Sequence, residues 1–433
     1  MIHCHYPHCV FAGVLLAGLL SCAPQSAPPR EGVKVFVGAR ILDGTGNTPI
    51  ENAVMLVREG RIEAVGARDS IQIPDGAQRI HVSGKTIIPG LINSHGHVGG
   101  TKGLESGPEH YSQENVLHQL GLYARYGVTT VLSLGGDQQE AVPLRDAQDT
   151  PELDRARLYI AGRVVTAETP EAARQEVDEM AAMKVDFIKI RVDDNLGTRK
   201  KMAPEVYQAV IDQAHQNGLR VAAHFFYLED GKSLLRSGVD FLAHSARDQE
   251  VDVEFIELLK EHDVCLCPTL VREVSTFVYE DVPGFFEDPF FLREADPEVL
   301  AQLKDPDRQQ QVRNSRSAKA YKQALKVASA NLKKLVDEGL PVAFGTDSGP
   351  PARFQGYFEH MELQLMAKAD LTSMQILVSA TGAAARCLGL ADDLGTLEPG
   401  RWADFIVLSE DPLADITNSR NIESVWIAGN RVP

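Results

Sequence analysis

The middle of this 433-residue chain alternates apolar runs with amphipathic segments, and few folds accept that order. Eight runs stand out, at 87–92, 129–133, 158–161, 187–190, 221–223, 241–243, 264–267 and 342–344. Helical patterns separate them, as at 170–183 and 204–217. Strand, helix, strand in repetition predicts βαβ units and a parallel sheet. Eight such units predict an α/β chain folded as a (β/α)8 TIM barrel over 88–393. Beyond the eighth run, Thr372-Ser373-Met374-Gln375 has the form of a capping box that opens a helix to Cys387. The two flanks, 33–87 and 394–433, are short alternating runs. Those of the first flank turn at Asp43-Gly44, Glu59-Gly60 and Asp75-Gly76. They predict strands that pair as one small β-sandwich domain built from both chain ends. About 70 residues separate the seventh and eighth runs, long enough to predict a lid-like insertion at 273–320.

Barrel enzymes place their chemistry at the C-terminal ends of the strands. The first run leads to His95-Gly96-His97, and the fourth contains Lys189. The fifth leads to His224, the sixth to His244 and the eighth to Asp347. A closed ring would bring these groups to one mouth. His95 and His97 are two apart, so both side chains can point inward. Imidazole and carboxylate together suit a divalent cation such as Zn²⁺. Lys189 lies among Phe187, Ile188 and Ile190, where an ammonium ion is costly to bury. Desolvation favours the neutral amine, which is a nucleophile. Such an amine can add CO₂ to form a carbamate, whose two oxygens can bridge two cations. Arg163, Arg191, Tyr227 and Arg272 follow strand ends and are candidate substrate contacts.

Charge and composition exclude some classes. The chain has 60 acidic and 43 basic residues, a net charge of −17, which argues against nonspecific nucleic acid binding. With 44% hydrophobic and 24% charged residues it reads as a packed soluble protein, not a polytopic membrane protein. The apolar run 10–20 is too short to span a bilayer. It is followed by Leu19-Leu20-Ser21-Cys22 and a Pro/Ser-rich stretch, which resembles a bacterial lipoprotein signal. Residues 1–21 would be the signal peptide, Cys22 the lipidated residue and 22–32 the tether. The leader departs from that pattern in having no Lys or Arg at 1–9. Ala23 is not acidic, so the expected location is the periplasmic face of the outer membrane, held by the lipid anchor alone. The alternative is a soluble secreted or periplasmic protein. Cys265, Cys267 and Cys387 are then a sparse, odd set that predicts core packing rather than a disulfide framework.

The motifs together resemble a known family. Pro89-Gly90-Leu91-Ile92-Asn93-Ser94-His95-Gly96-His97 is similar to the opening motif of the metal-dependent amidohydrolase superfamily, in its imidazolonepropionase-like and prolidase-like branch. Asp186-Phe187-Ile188-Lys189-Ile190 resembles its lysine strand. Gly238 to His244, Phe344 to Gly349 and Gly395 to Asp404 resemble its later ligand strands and its returning tail. The resemblance implies two divalent metal ions, with Zn²⁺ expected. His95, His97 and Asp347 would hold one and His224 and His244 the other, with carboxylated Lys189 and a hydroxide between them. The implied reaction is attack of the bridging hydroxide on an amide, peptide or cyclic amide, with Asp347 as general base and then acid. A small molecule or dipeptide is the implied substrate, and a homo-oligomer stays open. His360 matches a position often occupied by His in this branch, which makes it a further substrate candidate. Two other readings were weighed. A mononuclear deaminase would carry His-x-x-Glu after the fifth strand, whereas Glu229 lies five residues after His224. A noncatalytic ligand-binding lipoprotein would have broken ligands, whereas all six positions are filled.

Overall fold

The computed structural model describes residues 32–433. The signal peptide, Cys22 and the tether up to residue 31 lie outside the described residues. No described helix is long and apolar enough to cross a membrane.

The apolar runs of the middle become short, buried parallel strands. Leu91–Gly96 pairs with Val128–Ser133, which pairs with Arg157–Ile160. A second set runs Phe187–Val192, Arg220–Phe225, Phe241–Ala243, Cys265–Cys267 in chain order. The two sets meet through a parallel bridge from Val165 to Ile190. On the other side, Val342 bridges Leu266 and Ser348 bridges Gly96. Parallel neighbours in sequence order, covered by helices such as Pro170–Ala182 and Pro204–Gln216, give a TIM-barrel-like α/β fold. The run at 342–344 joins by single bridges and bonds such as Ser94 N–H to Phe344 O (2.9 Å), not by a ladder. The reason is local: the left-handed Asp347 (φ 57°) turns the chain beside the first strand.

Two expectations need correction. The run 87–92 is two strands, not one. Thr86–Pro89 joins the sheet of the chain ends, and Leu91–Gly96 joins the barrel-like part. Gly90 makes the change, because a Cβ there would lie 2.1 Å from Thr129 Oγ1. The flanks share one continuous eight-stranded hydrogen-bonded sheet drawn from both chain ends. Strand Val33–Ile41 carries register shifts after Val37 and Ala39, so it pairs in parallel with Gln78–His81 early and with Thr86–Pro89 late. Phe405–Leu408 then pairs with Thr86–Pro89 and brings in the C-terminal strands. Finally, the capping box at Thr372 and Gln375 is present, but its helix stops at Ser379. A second helix, Gly382–Leu388, starts after the non-helical Thr381.

The insertion between the seventh strand and 342 is largely helical and ends in the 22-residue helix Arg316–Asp337. Its aromatic residues form a separate core with the segment after Asp347. Phe291 lies 4.8 Å from Phe354 and 4.9 Å from Tyr357, ring centre to ring centre. That packing ties the insertion to the mouth of the strands.

Cys265 and Cys387 form a disulfide, with Cα atoms 5.8 Å apart and 122 positions apart in sequence, contrary to the packing role expected. The final helix lays Cys387 against the start of the seventh strand, a pairing no local spacing announces. Cys267 stays free and buried. Closing so long a loop restricts the unfolded chain. Cys387→Ser is expected to lower unfolding stability by about 2–5 kcal/mol, measured by urea denaturation. An unchanged midpoint would show that the bond adds nothing.

Candidate metal centre

Strand ends gather the candidate ligands. His95 and His97 close the first strand, and Asp347 returns beside them through its backbone N–H to His95 O (2.6 Å). Ligand atoms of His95, His97 and Asp347 all lie within 4.8 Å of one another. His97 Nε2 is 2.9 Å from Asp347 Oδ1, and His95 Nε2 is 3.8 Å from it. The ring of His244 lies 4.7 Å from that of His95 and 4.4 Å from that of His224. Lys189 is buried and close enough to both Asp347 and His95 to act on their charge states.

Three buried polar atoms here have no hydrogen-bond partner among the described residues: His95 Nδ1, His244 Nε2 and Lys189 Nζ. Buried polar groups are normally satisfied, so a cluster of orphans asks for a missing partner. The other nitrogens are fixed by protein. His97 Nδ1 donates to Gly135 O (2.9 Å), which leaves Nε2 facing Asp347. His244 Nδ1 is 2.6 Å from Thr269 Oγ1. His224 Nε2 is 2.6 Å from Asp193 Oδ2, which leaves its Nδ1 lone pair for a ligand. A histidine anchored through one nitrogen and free at the other is how protein holds a metal-binding imidazole. The donor set therefore fits divalent cations.

Electrostatics agree. Burial lowers Lys189 to about 7, so near neutrality a large share is the free amine. Burial, then Lys189, pushes His95 far down. Burial and then His224 do the same to His244. Burial puts His224 at about 3. Neutral imidazoles are the ligating form. Burial alone would raise Asp347. The Arg353 guanidinium, 2.6 Å from its Oδ2, and the nearby imidazoles outweigh burial and keep it an anion. His244 (φ 92°) and Asp347 (φ 57°) both hold left-handed backbone, a conformation that persists where surrounding structure enforces it. Gly349 allows the close return, since a Cβ there would be 2.1 Å from His97 O.

The substrate candidates divide. Arg272 is buried, with Nε 3.8 Å from Asp347 Oδ2 and Nη1 3.1 Å from Glu273. Arg191 lies 3.3 Å from Asp193, beside His224. Tyr227 donates to Asp194 (2.8 Å). Arg163 is drawn away, because it pairs with Glu176 (3.0 Å) and Glu179 on the neighbouring helix. His360 is also spent: Nδ1 is 3.0 Å from Ser419 Oγ, and Nε2 donates to Tyr126 O (2.8 Å). Neither of its nitrogens is free for a substrate. Sequence reasoning missed Arg353, the partner role of Asp193 and the buried Glu359. Asp193 had a signal in its place three residues past the fourth strand run's end. Arg353 had none, because the loop that brings it to Asp347 has no motif.

The amidohydrolase family model matches residues 86–432. Imidazolonepropionase of Geobacillus kaustophilus is 24% identical over 409 residues, covering 83% of this chain and 84% of its own. A solved Xaa-Pro dipeptidase is 21% identical with a TM-score of 0.75, covering 92% of this chain and 99% of its own. A Bifidobacterium longum protein provisionally assigned as a prolidase is 26% identical with a TM-score of 0.73, covering 93% and 94%.

Two outcomes test the centre. Lys189→Ala is expected to lower bound metal to one equivalent or none in elemental analysis, with the fold intact by circular dichroism. Full metal content would remove Lys189 from the ligand set. Burial holds His360 at about 3, so the unfolded chain binds a proton from about pH 6.5 downward that the folded chain refuses. Stability therefore falls as pH drops below that value. His360→Gln should lose about 1.4 kcal/mol less per pH unit between pH 6 and 4 in urea unfolding. An unchanged slope would refute the assignment.

Proposed function

Because the chain belongs to the amidohydrolase family, we propose that it hydrolyses a C–N bond in an amide, that of a dipeptide or a cyclic amide. The observation that carries this reading is the set of unpartnered Lys189, His95 and His244 atoms around an ionised Asp347. His95, His97 and Asp347 would hold one cation, His224 and His244 a second, with Lys189 between them as its carbamate. Zn²⁺ is the expected metal. Such cations supply acidification of a water molecule and polarisation of the carbonyl.

The chain's own residues do the rest. Asp347 takes the proton of the attacking water and returns it to the leaving nitrogen, first base and then acid. Arg353 holds its Oδ2 (2.6 Å), and its Oδ1 faces His97 Nε2 at 2.9 Å. Arg272 adds positive charge nearby and is itself held by Glu273 and by the face of Tyr321, 4.2 Å away. The insertion, packed on the segment after Asp347, limits water at the mouth. The strands close into a full (β/α)8 ring. A deaminase is disfavoured because Glu229 is an exposed helix residue paired with Lys232 (2.9 Å), turned away from His224. The filled ligand set disfavours a noncatalytic role. The Cys265–Cys387 bond supports an oxidising compartment, in keeping with export and anchoring through Cys22 at the outer membrane's periplasmic face.

Screening the purified, zinc-loaded protein against dipeptides, N-acyl amino acids and cyclic amides, with lactones as controls, tests the reading. Asp347→Asn is expected to lose turnover by a factor of about 10²–10⁴. Hydrolysis of lactones alone, or full activity in the variant, would overturn it.

A further inference from the structure

We propose that the exposed face of the helix Arg316–Asp337 is a docking surface for the anionic headgroups of a lipid bilayer. Residues 308–336 hold eight cations and no Asp or Glu, in a chain whose net charge is −17. Six of the eight lie on this helix: Arg316, Lys319, Lys322, Lys326, Lys333 and Lys334. At about 3.6 residues per turn they fall within an arc of about 120°. The opposite arc carries Tyr321, Ala324, Ala328, Leu332 and Leu335, all buried. One side of the helix packs on the protein, and the other is a cationic strip about 27 Å long.

Part of the charge is answered locally. Lys322 pairs with Glu280 (2.6 Å), Arg313 with Asp281 (2.8 Å) and Lys333 with Asp337 (2.5 Å). Lys334 donates to Val251 O (2.7 Å). Arg316, Lys319 and Lys326 are exposed, and their side chains have no ion-pair or hydrogen-bond partner among the described residues. Two valines flank the strip. Val282 follows the partner of Arg313 and is 53% exposed, and Val253 lies two residues from the partner of Lys334 and is 67% exposed. They are the two most exposed large apolar side chains among the described residues. Cations edged by apolar residues suit the boundary between headgroups and acyl chains.

Charge decides the partner. Salt screens charges beyond about 8–10 Å, so a bilayer that meets this strip feels little of the distant acids that make the chain negative. Unpaired Lys and Arg near an anionic bilayer raise partition about fivefold each. A second argument rests on the anchoring reading. With Cys22 lipidated as proposed, only residues 22–32 separate the anchor from the first strand at Val33, a reach of about 40 Å at most. That tether keeps the folded part beside a membrane, and the strip gives it a preferred side to rest on.

The test uses the chain from residue 22 onward with Cys22→Ala, so that neither the leader nor a lipid carries it to a membrane. It is co-sedimented at low salt with vesicles of phosphatidylcholine alone and of phosphatidylcholine with phosphatidylglycerol. Partition to the anionic vesicles is expected to be higher by about tenfold or more, and to fall to the neutral level in about 1 M salt. Arg316→Gln, Lys319→Gln and Lys326→Gln together are expected to reduce the preference to about twofold or less. Arg79→Gln, Arg174→Gln and Arg431→Gln, exposed elsewhere and equal in charge, are expected to leave it unchanged. Equal partition to the two vesicles, a preference that survives the first triple variant, or one lost alike in both would overturn the proposal. A dimer in sedimentation velocity that the first triple variant abolishes, without partition to either vesicle, would overturn it and assign the strip to a second copy. The anchoring reading fails separately: vesicle preference without incorporation of labelled palmitate at Cys22 in cells would remove the anchor and leave the strip standing.

Discussion

One buried carboxylate oxygen holds the first strand to the returning segment on which Asp347 lies. Oε1 of Glu359 accepts from Asn93 (2.6 Å), Ser348 (2.6 Å) and Thr346 (2.7 Å), and it is fully buried. Asn93 in turn receives the backbone N–H of His95 (3.0 Å). The strand that carries His95 and His97 and the turn that carries Asp347 are thus set against each other by side chains, where the backbone offers single bridges and hydrogen bonds rather than a ladder. Burial raises the carboxyl's affinity for a proton, and the donors from Ser348 and Thr346 oppose it. This junction lies where the candidate ligands His95, His97 and Asp347 come together.

The same logic recurs around the mouth. Glu362, on the helix Tyr357–Lys368 with Glu359, accepts the N–H groups of Leu270 and Val271 at the head of the helix that carries Arg272. Burial lifts it to about 8, so most of its population is neutral near pH 7. Arg247 and Glu273 pair at 2.6 Å with neither exposed. Buried pairs of this sort contribute little net stability, and their worth lies in fixing one arrangement. Here the arrangement fixed is the short helix that presents Arg272 to Asp347. A rigid surround lets the ligands sit in strained backbone without relaxing.

Much of the site could be read along the chain because the parallel βαβ repeat has a strict geometric consequence. A residue at the end of such a run comes to the same mouth, so His95, His97, Lys189, His224, His244 and Asp347 stand out by position as candidate ligands. What stayed hidden depends on contacts between distant segments. His360 and Arg163 have suitable positions in sequence, yet Ser419, Tyr126 and two glutamates claim their polar atoms. Arg353 has no motif, and it reaches Asp347 only because the loop after Gly349 folds back. The bond from Cys265 to Cys387 and the division at Gly90 are likewise products of packing.

The amino-acid order alone therefore determined the repeat, the side of the molecule that bears the chemistry and the kinds of atom that gather there. Periodicity and strand direction are local properties, carried by each segment in isolation. Tertiary structure decided which of those atoms remain free, which carboxylate steadies which imidazole, and where unpaired charge collects. Those outcomes turn on the distance between groups far apart along the polymer, a quantity that exists only once the chain has folded.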